Sequence, residues 1–173
     1  MKNVIFLGPP GCGKGTQADK LKSLGYIKVS TGDLLREIAK QPSELGSSVR
    51  DSLKKGSLVS DKMVNQLISE FYSKEVNAAG IILDGYPRNV EQAKSLSKIL
   101  SDNKKEIDAI FYFDVEEDLL VKRITGRYTC TDCGTIYNEF YFDTKVADQC
   151  DNCSGHNFTK RSDDSEKVII NRL

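Results

Sequence analysis

Between the apolar run Val4-Ile5-Phe6-Leu7 and a helix-like run from Thr16 to Leu24 lies Gly8-Pro-Pro-Gly-Cys-Gly-Lys-Gly-Thr16, whose residue types suit one chemistry, the holding of phosphate. A glycine-rich turn leaving a buried strand lets backbone N–H groups converge on an anion. The N-terminus of the following helix adds the positive end of its dipole. Lys14 supplies a point charge for the outer phosphates. The pattern departs by one place from G-x-x-x-x-G-K-[ST], because Gly15 follows the lysine and the hydroxyl arrives at Thr16. Cys12, inside the loop, reads as a small tolerated side chain without catalytic duty.

Three further groups of polar residues call for explanation. Ser30-Thr-Gly-Asp-Leu-Leu-Arg36 follows a second apolar run, with Ser30 and Asp33 at capping-box spacing. Capping explains those two residues, but the helical stretch from Thr31 to Gly56 is longer than a crossover needs and reads as a small helical subdomain over a cleft. Leu83-Asp-Gly-Tyr-Pro-Arg88 ends a third apolar run. Ligands of open α/β sheets sit at the carboxyl ends of strands, so Asp84 and Arg88 fall beside the phosphate loop if the first and third strands are neighbours. There a carboxylate can hold Mg²⁺ through water, and an arginine can grip a phosphate with two N–H groups. A plain turn is the competing reading, since Asp-Gly and Pro are turn formers.

The third group is Cys130-Thr-Asp-Cys133 and Cys150-Asp-Asn-Cys153, separated by sixteen residues. Each pair can chelate from a tight turn, and the spacing matches a structural zinc ribbon. Four thiolates close the coordination sphere and leave no position for a reactive water, so such a metal holds structure. Disulfides are the alternative, disfavoured in a chain read as cytoplasmic. His156, the one histidine, lies three residues past Cys153 and reads as exposed and incidental. Arg123 and Arg127 precede this module, and Arg161 and Arg172 follow it. They form either a solvated face or, if the module closes over the phosphate loop, a set of cationic clamps. Asp163 and Asp164 would orient such arginines or cap the last helix.

The rest of the chain describes the scaffold these residues need. Short apolar runs at Val4–Leu7, Tyr26–Val29, Ile81–Leu83 and Ala109–Phe113 read as buried parallel strands. Helical periodicity between them covers Thr16–Leu24, Leu34–Lys40, Leu45–Lys55, Asp61–Tyr72, Val90–Ser101 and Glu117–Ile124. The class is α/β, and 173 residues suit one domain with small insertions. Charged residues make up 29% and balance to zero, which excludes the broad basic surface of a nucleic-acid binder. The N-terminus is too short in apolar residues for a signal peptide and no run reaches transmembrane length, so a soluble cytoplasmic protein is expected.

Taken in order, Gly8–Thr16, Ser30–Arg36, Asp84-Gly-Tyr-Pro-Arg88 with Gln92, Arg123/Arg127, the four cysteines and Arg161-Ser-Asp-Asp164 resemble the zinc-bearing, long-lid form of the adenylate kinases. The stretch from 81 to 92 is the most specific, and Gly13-Lys-Gly-Thr16 is the form of phosphate loop that family carries. The resemblance spans essentially the whole chain. It implies a P-loop nucleoside monophosphate kinase, with a parallel sheet flanked by helices (1–29, 60–125 and 164–173), a helical monophosphate-binding insertion (30–59) and a zinc-ribbon lid (126–163). The implied reaction is reversible phosphoryl transfer from MgATP to AMP, giving two ADP.

By the same resemblance, Gly11, Cys12, Gly13, Lys14, Gly15, Thr16 and Arg127 would bind the ATP phosphates, with Ile136 and Tyr137 near the ATP. Thr31, Arg36, Ser57, Leu58, Val59, Gly85, Tyr86, Pro87, Arg88 and Gln92 would hold AMP, with Arg88 on its phosphate and Gln92 on its adenine. Lys14, Asp84, Arg88, Arg123, Arg161 and Arg172 would serve the transfer, Arg161 and Arg172 also touching AMP. The implied cofactors are Mg²⁺ with ATP and a structural Zn²⁺ on Cys130, Cys133, Cys150 and Cys153. The implied partners are ATP, AMP and ADP, with no nucleic acid or membrane, and the chain would act as a monomer.

Members of that family continue for several tens of residues past the position of Leu173, adding a helix, an edge strand and a final helix. Without such a strand, Ala109–Phe113 is expected to stand as an exposed sheet edge open to self-association, and contacts to the ATP adenine from that segment would be missing. Two readings therefore stand beside the kinase. One is a zinc-stabilised nucleotide-binding module without turnover; the other is a kinase for a different nucleoside monophosphate.

Overall fold

The computed structural model describes residues 2–55, 57, 59–74 and 77–170. Leu58 and Arg172, both expected at the site, lie outside the described residues, as does Gly56 at the end of the expected helical subdomain. The chain divides into two compact units, one of Met1–Gly8, Gly13–Leu53 and Ser57–Asp114, the other of Pro9–Cys12, Lys54–Gly56 and Val115–Leu173.

The first unit is built on a parallel sheet of β1 (Lys2–Leu7), β2 (Tyr26–Ser30), β3 (Gly80–Asp84) and β4 (Ala109–Tyr112) in the order β2-β3-β1-β4. Five helices belong to this part of the chain: α1 (Lys14–Leu21), continued by a 3₁₀ turn at Lys22–Leu24, then α2 (Thr31–Lys40), α3 (Glu44–Lys55), α4 (Asp61–Tyr72) and α5 (Val90–Asp102). The central strands bury both faces, which is why they read as unbroken apolar runs. Ile5, Val29, Ile81 and Leu83 pack with Val64, Ile68, Tyr72, Leu96 and Leu100 on one side. Val4, Phe6 and Ile82 pack with Ala18 on the other. Each such isoleucine or leucine contributes about 1.5–3 kcal/mol through the apolar surface it removes from water. A separate cluster of Leu35, Ala39 and Val49 joins α2 to α3, with Val59, Met63 and Leu67 packed against it.

Register does the positioning: Phe6 and Ser30 both stand opposite Asp84, so the carboxyl ends of β1, β2 and β3 finish level. The expectation that the first and third strands are neighbours therefore holds. On its other side β1 pairs with β4, which has no further neighbour among the described residues. Ile110, Phe111 and Tyr112 are each more than half exposed there, as expected of an uncovered edge.

The differences from the sequence reading lie at element ends and have local causes. α1 begins at Lys14, two residues early, because Gly13 takes φ 99°, a left-handed turn open to glycine, and so ends the loop at once. α2 begins at Thr31, not Leu34, because the Ser30 hydroxyl accepts the Asp33 N–H and caps the helix there.

The second unit contains α6 (Glu117–Thr125), α7 (Glu166–Ile170) and a small antiparallel sheet of β5 (Arg127–Cys130), β6 (Ile136–Asn138) and β7 (Phe158–Thr159), ordered β6-β5-β7. Its strands were not legible as strands: two to four residues are too few to show alternation. Their core is a stack of rings. Tyr137 lies between Tyr128, 5.5 Å away, and Phe142, 5.6 Å away, and Phe158 meets Tyr128 and Tyr137 edge-on.

Candidate functional site

In the first unit the expected residues gather at the carboxyl ends of the strands. Lys14, the first residue of α1, donates from Nζ to the Gly8 carbonyl at 2.9 Å, so its ammonium is turned back over its own loop. Asp84, at the end of β3, is close to the start of that helix: a Cβ on Gly15 would lie 3.7 Å from its Oδ2. Burial raises the Asp84 carboxyl above the usual carboxylate range, against the opposing pull of Lys14 and Lys28. A carboxylate with that environment is eased by any further cation. Lys28 lies between acidic neighbours, with Nζ 3.0 Å from Asp19 and 4.0 Å from Asp33.

Next to it stand the residues assigned by resemblance to AMP. The Gly85 carbonyl accepts the Thr31 hydroxyl at 2.9 Å and Arg88 Nε at 2.8 Å, tying α2 to the loop after β3. Gly85 itself has φ 78°, and a Cβ there would press to 3.2 Å from Arg88 Nη2, so the position is reserved for glycine on two counts. Arg88 reaches an exposed place, while Arg36 pairs with Asp33 at 2.5 Å along α2. Tyr86 and Pro87 turn the chain by a cis peptide, with Tyr86 wholly buried and its hydroxyl 2.6 Å from Asn65 Oδ1. Gln92, on α5, is buried: its Oε1 accepts the Arg88 N–H at 2.8 Å and its Nε2 donates to Asp61 at 2.6 Å. Ser57 is exposed and Val59 half-buried.

In the second unit Gly11 packs so closely on α6 that a Cβ would fall 2.6 Å from Ile124 Cγ1. Cys12 is buried and its N–H donates to Pro9 O at 3.4 Å, in keeping with a packing role. Arg127, the first residue of β5, is held by Asp164, whose two oxygens accept Nε at 2.8 Å and Nη2 at 2.5 Å. Of the two readings of that aspartate, orientation of an arginine is the one this pairing favours. Arg161 lies three residues earlier and its carbonyl accepts the Asp164 N–H. The Arg123 carbonyl accepts Asn138 Nδ2 at 2.8 Å, which fastens the end of α6 to β6.

Cys130, Cys133, Cys150 and Cys153 bring their sulfurs within 4.8 Å of one another, with Cys130–Cys153 at 3.6 Å and Cys133–Cys150 at 3.5 Å. A tetrahedral ion with Zn–S bonds of ~2.3 Å sets its sulfurs about 3.8 Å apart, so the cluster fits such an ion with little adjustment. Two hydroxyls lie against it: Thr135 Oγ1 is 3.1 Å from Cys133 Sγ, and the buried Tyr137 hydroxyl is 3.3 Å from Cys150 Sγ. Hydrogen bonds from Thr135 bring the Cys133 thiol down to about 6. Ile136 is half-buried beside this pair. His156 is exposed, and its Nδ1 faces the Asp148 carbonyl at 2.7 Å; because a carbonyl only accepts, Nδ1 carries the proton.

Sequence reasoning passed over Lys28 and Asp61. Lys28 did leave a signal, a charge inside the apolar run Tyr26–Val29. Asp61 left none, since an acidic residue opening a helix is explained by the helix dipole alone.

The family model described as "Adenylate kinase" matches residues 6–173. An adenylate kinase of Thermosipho melanesiensis is 47% identical over 171 residues, 98% of this chain and 79% of its own length. Those of Rhizorhabdus wittichii and Enterococcus faecalis are 44% and 40% identical over 172 residues, 99% of this chain and 80% of theirs. The likeness covers nearly every residue described above and does not stop at a single motif: the chain belongs to the adenylate kinase family.

Proposed function

We propose that the chain transfers the γ-phosphoryl group of ATP to AMP, reversibly, giving two ADP. The observation that carries this reading is the level finish of β1, β2 and β3, which sets Lys14, Asp84, Thr31 and Arg88 around the same strand ends in a member of the adenylate kinase family. An AMP phosphate oxygen attacks the γ-phosphorus of ATP in line. The new P–O bond forms as the bond to the bridging oxygen breaks, and that electron pair stays with the departing ADP. No protein nucleophile is needed. The protein aligns two anions that repel one another and neutralises the spreading charge.

In that work Gly11–Thr16 and Arg127 hold the ATP phosphates, Thr31, Arg36 and Arg88 hold AMP, and Arg123, Arg161 and Arg172 serve the transferring group. Asp84 is suited to hold Mg²⁺ through water, and the ion supplies charge neutralisation on the ATP phosphates when bound. The four cysteines hold Zn²⁺, whose contribution is to the fold of the small sheet around them. We read 30–59 as the monophosphate-binding flap, 126–163 as the lid and the remainder as the core. Closure of the lid keeps water from accepting the phosphoryl group.

No helix of the described residues is long and apolar enough to cross a membrane, and we propose a cytoplasmic location. We propose that the working form is the monomer. The exposed edge of β4 supports a concentration-dependent pair of copies as the second reading, and sedimentation velocity across a hundredfold concentration range separates the two. The reaction is tested by offering ATP with AMP, CMP, UMP or GMP and measuring ADP. Rapid turnover with AMP alone is expected. Turnover with another monophosphate moves the assignment to that substrate, and nucleotide binding without ADP formation removes the catalytic reading.

A further inference from the structure

Gln92 is 2% exposed, and its side chain is held from both ends by groups that leave it one orientation. Its Oε1 accepts the Arg88 N–H at 2.8 Å, and its Nε2 donates to Asp61 Oδ1 at 2.6 Å. A backbone N–H can only donate and an ionised carboxylate can only accept, so the assignment of oxygen and nitrogen is fixed by chemistry. Turning the amide over would set Nε2 against the Arg88 N–H and Oε1 against the Asp61 carboxylate. Burial prevents water from compensating either clash.

Asp61 is itself well anchored. It opens α4, where the helix dipole favours a negative charge, and both its oxygens accept from Asn89 Nδ2, at 3.2 and 3.0 Å. Asn89 in turn caps α5 by accepting the Gln92 N–H at 2.8 Å. Asp61, Asn89 and Gln92 thus close a ring of hydrogen bonds between the starts of α4 and α5, with Asp61 as its only anionic member. Its charge also shows on the neighbouring Tyr86, whose phenol is pushed up to about 12 by burial first and by Asp61 second.

We propose that Asp61 is the positioning residue that sets the base selectivity of the monophosphate site, by locking Gln92 so that the site takes 6-amino purines and refuses 6-oxo purines. The inference rests on the reading that Gln92 meets the base of AMP. A primary amide has two acceptor and two donor valences. Asp61 and Arg88 consume one of each, leaving one acceptor on Oε1 and one donor on Nε2, side by side. The 6-amino group and N1 of adenine present donor and acceptor in the complementary order. Hypoxanthine and guanine present the opposite order, a 6-oxo acceptor beside an N1 donor. A glutamine free to turn over serves either edge, so selectivity comes from the lock. Discrimination then arises because the wrong base leaves polar groups facing like groups in a closed site.

The test compares kcat/KM for AMP with that for inosine monophosphate, at fixed ATP, in wild type, Asp61→Asn, Asp61→Glu and Gln92→Leu. The asparagine is isosteric but offers a donor as well as an acceptor, so it no longer opposes the turned-over amide and leaves the Arg88 N–H alone to hold Gln92 in place. It is expected to lower the AMP-to-IMP ratio about ten- to a hundredfold, chiefly through KM for AMP, while glutamate, which only accepts, keeps most of the ratio. Both substrates see the same population of folded enzyme, so any loss of fold cancels from the ratio. An unchanged ratio in Asp61→Asn, with the ratio collapsed in Gln92→Leu, overturns the role of Asp61 and leaves Gln92 on the base. An unchanged ratio in Gln92→Leu overturns the reading of Gln92, and the proposal with it.

Discussion

Asp164 grips Arg127 with both oxygens, one accepting Nε at 2.8 Å and the other Nη2 at 2.5 Å, and the aspartate side chain is almost wholly buried. Two parallel charge-assisted bonds fix the plane of the guanidinium as well as its position. Asp164→Asn keeps the shape but loses the charge and one acceptor. KM for ATP is expected to rise about tenfold or more while KM for AMP stays close to wild type, as read from initial rates with each nucleotide varied in turn. Equal losses for both nucleotides would show that the pair serves only the fold.

Lys14 turns its ammonium back over its own loop, with Nζ donating to the Gly8 carbonyl at 2.9 Å. Lys14→Met removes the charge and keeps the length of the side chain. A fall in kcat of about 10²- to 10³-fold with an unchanged melting temperature is expected. Near-normal turnover would remove Lys14 from the transfer step.

The Tyr137 hydroxyl accepts the Asp151 N–H at 2.8 Å and lies 3.3 Å from Cys150 Sγ, where its proton is available to the sulfur. Partners of this kind orient metal ligands, and their loss typically costs about 10–100-fold in affinity. Tyr137→Phe, which keeps the ring stack, is expected to release zinc to a competing chelator correspondingly more readily. Unchanged release would confine the hydroxyl to the Asp151 bond.

Asp108 accepts the Asn3 N–H at 2.7 Å and pairs with Lys2 at 3.2 Å. That backbone bond first, and Lys2 second, hold its carboxyl below the usual range. Its folded value is below its unfolded one, so it favours the fold above about pH 4, and the benefit is lost as pH falls through the folded value. Urea unfolding at pH 7 and pH 3 should show wild type losing more stability than Asp108→Asn over that interval. Parallel losses would mean the pair is screened out by solvent.

The core of the first unit was legible because its central strands are buried on both faces and α2 carries a side-chain cap: Val4–Leu7 and Ile81–Leu83 read as apolar runs, and Ser30 announced α2. The cysteine cluster was legible because the spacing of Cys130, Cys133, Cys150 and Cys153 states the chelate directly. The small sheet was not, since Phe158–Thr159 is a strand only through its pairing with β5. Asp61 was invisible for a different reason. Its meaning depends on Asn89 and Gln92, about thirty residues away on the next helix, and no local pattern encodes that meeting.

A phosphoryl group that passes to AMP and one that passes to water leave different products. Following ATP, AMP, ADP and inorganic phosphate together by ³¹P NMR separates the two outcomes. Two ADP should form for each AMP consumed, ATP should be stable when AMP is omitted, and adding ADP alone should regenerate ATP and AMP. Inorganic phosphate released without AMP, or ATP, AMP and ADP signals that never change, would contradict transfer to AMP.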